Sequence, residues 1–143
     1  MLNPSGVRFG SSEIYAVIET IPEVADSICV GQRRNVDLDE RVLLFVVLKP
    51  GVKLTESLVS KIKTSIRQRY SARHVPKFIF EVAEIPYTLT GKKCEINVKN
   101  IVCGRELSVG GTLANPKSLR LYQKYRDLPS DAPKEAITKV SKL

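Results

Sequence analysis

The feature that most constrains the fold of this chain is an apolar run near its middle. Residues Arg41 to Leu48 read RVLLFVVL, and branched side chains dominate the run. A strand of this composition has no face that tolerates water, so it is typical of a central strand covered on both sides. The run is also far too short to cross a bilayer. We therefore expect a soluble domain in which other elements cover both faces of a sheet.

The residues before this run predict a hairpin, a helix and a strand. The turn signal Asn3-Pro4-Ser5-Gly6, followed by alternation in Val7-Arg8-Phe9, predicts an N-terminal β-hairpin. The chain starts almost inside this pairing, which suggests a fragment of a longer protein. We expect Ser11 or Ser12 to cap the helix, and Val24 to Val30 to form the strand. The apolar stripe of that helix comprises Ile14, Val17, Ile18 and Ile21, and Pro22 stops it.

The residues after the run predict a helix, a strand, a loop and a further helix. Thr55 caps the first of these helices, whose apolar positions are Leu58, Ile62 and Ile66 and whose other faces carry Lys61, Lys63, Arg67 and Arg69. A strand covers Phe78 to Val82, and the last helix runs from Cys94 to a C-terminal cap at Gly104. The order of elements predicts an α+β fold, with a small, mainly antiparallel sheet flanked by helices.

The loop between the last strand and the last helix is the candidate functional site. It reads IPYTLTGKK from Ile85 to Lys93, and Thr90-Gly91 provides a turn that holds Lys92 at its tip. A lysine placed just before a helix N-terminus is well placed to meet a phosphate or a carboxylate. The alternative is a solvated Lys-Lys pair in a surface turn.

The positive charge of the chain is concentrated around this loop. The net charge is +8, and residues 61 to 105 hold 10 basic and 3 acidic residues. A basic zone of this kind attracts polyanions, including nucleic acid, anionic lipid and phosphorylated cofactors. The basic face of the second helix can equally be an ordinary solvated surface.

The cysteine and histidine content does not favour a metal site. Cys29, Cys94 and Cys103 show no Cys-x-x-Cys spacing, and His74 is the only histidine. We therefore expect no structural metal, three free thiols typical of a reducing compartment, and a structural or solvated role for His74.

The pattern loosens after Arg105. Leu119, Leu121 and Tyr122 predict a short helix packed on the body, and residues 129 to 143 predict a polar, mobile tail. The last three residues are Ser141-Lys142-Leu143, which at a native C-terminus form the peroxisomal import address. If Leu143 is the native end, we expect recognition by the peroxisomal import receptor, with the cytoplasm as the alternative location.

Two motifs resemble those of the adenylate-forming acyl-CoA synthetase superfamily. Pro86-Tyr87-Thr88-Leu89-Thr90-Gly91-Lys92 is similar, position for position, to its signature Pro-x-Thr-x-Ser/Thr-Gly-Lys. Gly6-Val7-Arg8-Phe9-Gly10 with Glu13-Ile14 resembles a second motif of that superfamily. Within it, the stretches at residues 3–15, 71–76 and 85–93, together with Gly110-Gly111 and Asn115-Pro116, look most like acetoacetyl-CoA synthetases. These enzymes also tend to read Gly-Lys-Lys-x-Glu, as this chain does from Gly91 to Glu95.

The resemblance implies a two-step ligase reaction. Acetoacetate attacks the α-phosphorus of ATP, and CoA then displaces AMP from the acyl-adenylate. Residues 1–104 would be the C-terminal lid domain, which moves on a large N-terminal adenylation domain. Residues 105–143 would be an extension with a mobile tail. Mg²⁺ is expected with ATP.

The resemblance also assigns roles to individual residues. Lys92 would be the catalytic residue of adenylation, and Arg8 would contact nucleotide phosphate. Ser5, Gly6 and Arg67 would contact CoA.

Two alternatives stay open. The superfamily's phosphate loop, adenine pocket and acyl pocket belong to the N-terminal domain, and nothing in this sequence resembles them. We therefore expect the chain alone to be inactive, and the acid can be another short-chain acid. A basic nucleic-acid-binding module is the other alternative, although the basic helix lacks interleaved aromatic residues.

Overall fold

The structure of the chain, a computed structural model, describes residues 2, 9–34, 37, 39–105 and 113–128. The described elements are α1 (Ser11–Ile18), β1 (Val24–Gln32), β2 (Arg41–Leu48), α2 (Glu56–Arg69), a 3₁₀ turn (Ala72–His74), β3 (Phe78–Glu81), α3 (Glu95–Val102) and a long 3₁₀ helix (Pro116–Asp127). The α+β class is confirmed.

The sheet places the apolar run at its centre. The strand order is β1-β2-β3, so β2 is the middle strand, as predicted. β1 pairs with β2 antiparallel, with an irregularity between Val24 and Asp26, and β2 pairs with β3 parallel. The sheet is therefore mixed, and the longer of its two pairings is antiparallel. Its parallel pair has a plain cause, because α2 carries the chain from one end of β2 back to the start of β3, and such a crossover yields parallel strands.

Each face of the sheet is covered by its own pair of helical elements. On one face, β2 side chains such as Leu43 and Phe45 pack in one cluster with α3 and the long 3₁₀ helix. On the other face, Leu44 and Val46 pack in a second cluster with α1 and α2. The expectation that both faces of β2 are covered is confirmed.

A side chain caps the N-terminus of α2, whereas no side chain caps that of α1. The Thr55 hydroxyl accepts a hydrogen bond from Leu58 N–H at 3.1 Å and caps α2, as predicted. In α1 the expectation of a serine cap was wrong. The cap position is Gly10, without a side-chain bond, and the Ser11 hydroxyl donates to Glu95 Oε2 at 2.8 Å.

The residues beyond 104 contribute to the core. Leu119, Tyr122 and Tyr125 of the long 3₁₀ helix are buried in the cluster that includes Phe45. Leu121, which was expected to pack, is 36% exposed. The spacing of three explains this, because residues at i and i+3 align in a 3₁₀ helix. The predicted domain boundary at residue 104 stays a prediction, and the tail from residue 129 lies outside the described residues.

Candidate active site: the lysine loop

The lysine loop, residues 85–93, is a short hairpin with a fixed backbone. Tyr87 and Lys93 form an antiparallel bridge. Within it, Thr88 N–H donates to Lys92 O at 2.8 Å and Gly91 N–H donates to Thr88 O at 3.0 Å. Gly91 has a φ of 85°, which non-glycine residues adopt at a cost. These bonds close the turn at the base of Lys92.

The two threonines of the motif stabilise this turn from the side. The Thr88 hydroxyl accepts a hydrogen bond from Lys92 N–H at 3.1 Å, and its oxygen lies 2.9 Å from the Thr90 hydroxyl oxygen. The Thr-x-Thr-Gly-Lys spacing therefore has a structural meaning in this chain, since it fixes the backbone nitrogen of Lys92.

The two adjacent lysines are placed differently. Lys92 is exposed, and among the described residues no side chain is within hydrogen-bonding or ion-pairing distance of its ammonium group. Lys93 turns inward: its Nζ lies 3.7 Å from the centre of the Tyr15 ring and 3.6 Å from Asp26 Oδ1. Lys92 thus presents a free positive charge on a fixed backbone, and Lys93 is part of the scaffold.

Tyr87 connects the loop to two other parts of the chain. Its N–H donates to Asn115 Oδ1 at 2.9 Å, and its C=O accepts from Ala114 N–H at 2.9 Å. Its hydroxyl donates to Asp26 Oδ2. Burial and this hydrogen bond raise the pKa of Tyr87 well above its ordinary value, so the hydroxyl keeps its proton at neutral pH.

β1 lies at one edge of the three-stranded sheet, and the Tyr15 hydroxyl bonds to the backbone of this strand. Tyr15 of α1 accepts a hydrogen bond from Cys29 N–H at 2.9 Å, and its own hydroxyl donates to Glu95 at the start of α3. Burial, and next the bond to Glu95, raise the pKa of Tyr15 far above its ordinary value. Glu95 therefore links α3, which follows the lysine loop directly, to α1 and the sheet edge.

Sequence reasoning missed the supporting residues Asp26, Tyr15 and Glu95. Asp26 and Tyr87 are 61 positions apart, and Tyr15 and Glu95 are 80 positions apart. No local sequence pattern predicts such contacts. A carboxylate at the third position of an apolar strand was the only signal for Asp26.

Arg67 stands on α2, which covers the sheet face opposite to the one on which the apolar residues of the lysine loop pack. It is exposed on the last turn of α2, whose buried side chains belong to the cluster of α1. The loop residues Ile85 and Tyr87 pack with the cluster of α3 on the opposite sheet face. The structure therefore does not bring Lys92 and Arg67 together, and within the part of the chain that it describes the Arg67 guanidinium has no ion-pair partner.

Of the second motif, the structure describes Phe9, Gly10, Glu13 and Ile14. Ser5, Gly6 and Arg8 lie outside the described residues. Leu2 and Phe9, on either side of them, exchange two backbone hydrogen bonds of 2.9 and 3.0 Å, which supports the predicted hairpin. The centre of the Phe9 ring lies 4.2 Å from that of His74, with the two rings tilted by 30°, and His74 Nε2 lies 2.7 Å from Glu13 Oε2. His74 is thus structural, since it holds Phe9 against the body.

Among the residues that the structure describes, no group of three or more His, Cys, Asp or Glu side chains is arranged to hold a metal ion. None of the helices that the structure describes has the length and apolar character needed to cross a membrane.

The fold and the loop define a class of protein. Residues 13–92, more than half of the chain, match the family described as AMP-binding enzyme C-terminal domain. The chain belongs to this family.

Two relatives of the chain are similar over nearly all of its length. The chain is 50% identical over 127 residues to acetoacetyl-CoA synthetase of Danio rerio, an alignment that covers 89% of this chain and 19% of that protein. It is also 50% identical over 128 residues to acetoacetyl-CoA synthetase of Mus musculus, covering 90% of this chain and 18% of that protein. The chain therefore spans about a fifth of the length of the curated relatives it matches.

A solved structure is also similar to this chain. Acetoacetyl-CoA synthetase from Streptomyces lividans superimposes with a TM-score of 0.73 at 36% identity, covering 85% of this chain and 19% of that chain.

Proposed function

We propose that this chain is the C-terminal lid domain of an acid–thiol ligase that joins acetoacetate to CoA with cleavage of ATP to AMP and diphosphate. One observation carries the proposal: the family motif ends at Lys92, whose ammonium is exposed and unpaired within the described residues while its backbone is hydrogen-bonded in place. About 50% identity to acetoacetyl-CoA synthetases supports the choice of acid. The missing substrate pockets would belong to an N-terminal adenylation domain.

In the first half-reaction Lys92 would act through its charge. A carboxylate oxygen of the acid attacks the α-phosphorus of ATP, the bond to the leaving diphosphate breaks, and negative charge builds between the two groups. An ammonium held between carboxylate and α-phosphate stabilises this charge and orients the reactants. The Lys92 ammonium would not need to transfer a proton.

In the second half-reaction a different surface would act. The CoA thiol attacks the acyl carbonyl and AMP leaves. Arg67, exposed at the C-terminal end of α2, would meet the CoA phosphates, while Ser5 and Gly6 would approach its pantetheine arm and Arg8 the nucleotide phosphate. The separation of Arg67 from the lysine loop supports a lid that presents two surfaces in turn. We propose that Mg²⁺ enters as the complex with ATP phosphates.

The test compares the two half-reactions in a protein that joins this chain to its adenylation domain. Lys92→Ala should slow adenylate formation, measured by pyrophosphate exchange, by about 10² or more. Thioester formation from pre-made acetoacetyl-adenylate should stay near the wild-type rate. The matched control is Lys53→Ala, which removes another exposed lysine and should change neither rate. Equal loss in both half-reactions would refute the assigned role of Lys92.

The acid is tested in the same protein. Turnover with acetoacetate should exceed turnover with acetate and other short-chain acids. A preference for another acid would make the chain the lid of a different short-chain acyl-CoA synthetase. A salt-dependent gel shift with RNA would instead favour a nucleic-acid-binding role.

We also propose import into peroxisomes if Leu143 is the native C-terminus. A fluorescent protein that ends in residues 129–143 should enter peroxisomes, and deletion of Ser141-Lys142-Leu143 should leave it in the cytoplasm. Cytoplasmic location of the complete fusion would refute this proposal.

A further inference from the structure

Tyr87 is held from both sides by residues that lie far away in the sequence. On one side Asn115 accepts from the Tyr87 N–H at 2.9 Å and donates from Nδ2 to Ile85 O and Glu84 Oε2, each at 2.9 Å. On the other side Asp26 accepts from the Tyr87 hydroxyl. The Asn115 amide thus bonds the two loop residues on either side of Pro86, much as a neighbouring strand would.

Asp26 also holds the other arm of the loop. One of its oxygens, Oδ2, takes the Tyr87 hydroxyl, and the other, Oδ1, lies 3.6 Å from Lys93 Nζ. Tyr87 and Lys93 face each other in the antiparallel bridge that begins the loop. A single carboxylate therefore ties together the two residues between which the turn with Lys92 is formed.

The position of Asp26 is fixed in turn by the sheet. It follows the irregularity between Val24 and Asp26 in β1, and its Oδ1 accepts from Ser27 N–H at 2.8 Å. Bulges of this kind redirect a side chain at the end of a pairing. The edge strand thereby directs Asp26 toward the loop.

We infer that Asp26 and Asn115, which we name the loop clamp, are positioning residues that set the location of Lys92 for adenylation. The inference rests on the proposed function. Its physical reason is that displacement of a catalytic group by about 1 Å can cost up to 10²-fold in rate. Neither residue touches the reacting atoms in this assignment, and both act through Tyr87 and Lys93. Asn115 lies outside the matched range 13–92, so the clamp gives the later part of the chain a role in catalysis.

The first experiment measures the loop itself in the 143-residue chain. Asp26→Ala and Asn115→Ala should each speed amide hydrogen exchange at Thr88, Gly91 and Lys92 by about tenfold. These three amides bond within the loop and not to the clamp, so they report loop order rather than the loss of an acceptor. Amides in α2 should exchange as in the wild type, which shows that the domain stays folded. Unchanged exchange in the loop would overturn the inference.

The second experiment measures catalysis in the protein joined to its adenylation domain. Both alanine variants should slow adenylate formation by about tenfold and leave thioester formation from pre-made acyl-adenylate unchanged. Asp26→Asn should slow adenylate formation by less than the alanine variant does. Its amide oxygen still accepts from the Tyr87 hydroxyl, and only the charge opposite Lys93 is lost. Glu23→Ala is the matched control, since Glu23 is a carboxylate just before β1 that pairs with Lys61 and not with the loop. Glu23→Ala should change neither the rate of adenylate formation nor the rate of thioester formation.

The outcomes separate this inference from the proposed function. If Lys92→Ala abolishes adenylation but the clamp variants leave it unchanged, the clamp has no positioning role and the proposed function stands. If Lys92→Ala itself leaves adenylation unchanged, the proposed function fails whatever the exchange data show.

Discussion

The lysine loop and the basic end of α2 both expose positive charge, but they hold it in different ways. Around Lys92 the backbone is bonded to its own loop, and the loop is bonded to β1 and to residues 113–115. Arg67 and Arg69 stand on an ordinary last helical turn, where only the helix fixes the backbone. A charge that must meet one reacting group needs a fixed origin, whereas a charge that attracts a flexible polyanion does not.

The largest test of this difference is a pair of charge-conserving substitutions. Lys92→Arg keeps the charge but moves it and spreads it over a plane, so we expect adenylate formation to stay about 10²-fold below the wild type. Arg67→Lys should change the KM for CoA by less than about twofold, because the flexible, exposed lysine side chain can still contact the same phosphate as a point charge. Half-reaction kinetics measure both effects. Full activity of Lys92→Arg would show that position matters no more in the loop than on α2.

A second test uses two glycines with the same backbone conformation. Gly91 and Gly51 have φ values of 85° and 82°, and a Cβ at either position would meet nothing within 4 Å. Alanine at either site should therefore lower the free energy of unfolding by about 1 kcal/mol, from backbone strain alone. Only Gly91→Ala should also slow adenylation, by a few-fold to about tenfold. Urea unfolding and pyrophosphate exchange measure the two effects. Equal rates in both variants would contradict a special requirement for order in the loop.

The sequence predicts some features of the fold and of the site correctly and does not predict others. The strand Arg41–Leu48 and the cap at Thr55 were predicted at their observed positions, because both signals are local. Lys92 was located from a motif whose threonines and glycine form their own turn. Asp26 and Asn115 were not assigned roles in the loop, since their partners are 61 and 28 residues away. The parallel pairing of β3 was missed, although the order β2, α2, β3 indicates a crossover.

The basic end of α2 gives the next smaller effect. Arg67→Ala should raise the KM for CoA in the thioester half-reaction by a few-fold and leave adenylation unchanged, since one exposed contact to phosphate is lost. The effect should shrink as salt is raised, because salt screens exposed charges. Arg69→Ala is the control, as residues two apart on a helix do not face the same way. An equal rise in the KM for CoA in both variants would indicate that the overall positive charge at the end of α2 attracts CoA, and that Arg67 makes no specific contact with it.

The smallest effect isolates one bond of the fixed loop by its pH dependence. Tyr87→Phe removes the hydroxyl that donates to Asp26, which should lower the free energy of unfolding by about 1 kcal/mol. Because the folded state raises the pKa of Tyr87, the hydroxyl's contribution is fully present below the ordinary tyrosine pKa of about 10 and is lost as the pH rises through the folded value. The difference between wild type and variant should thus be constant from about pH 6 to 9 and shrink above about 10. Tyr70→Phe, whose hydroxyl has no hydrogen-bond partner in the described ranges, should show no such difference. A gap that widens with rising pH would mean that the Tyr87 hydroxyl does not donate to Asp26, and that one side of the loop is as loosely held as the side chains at the end of α2.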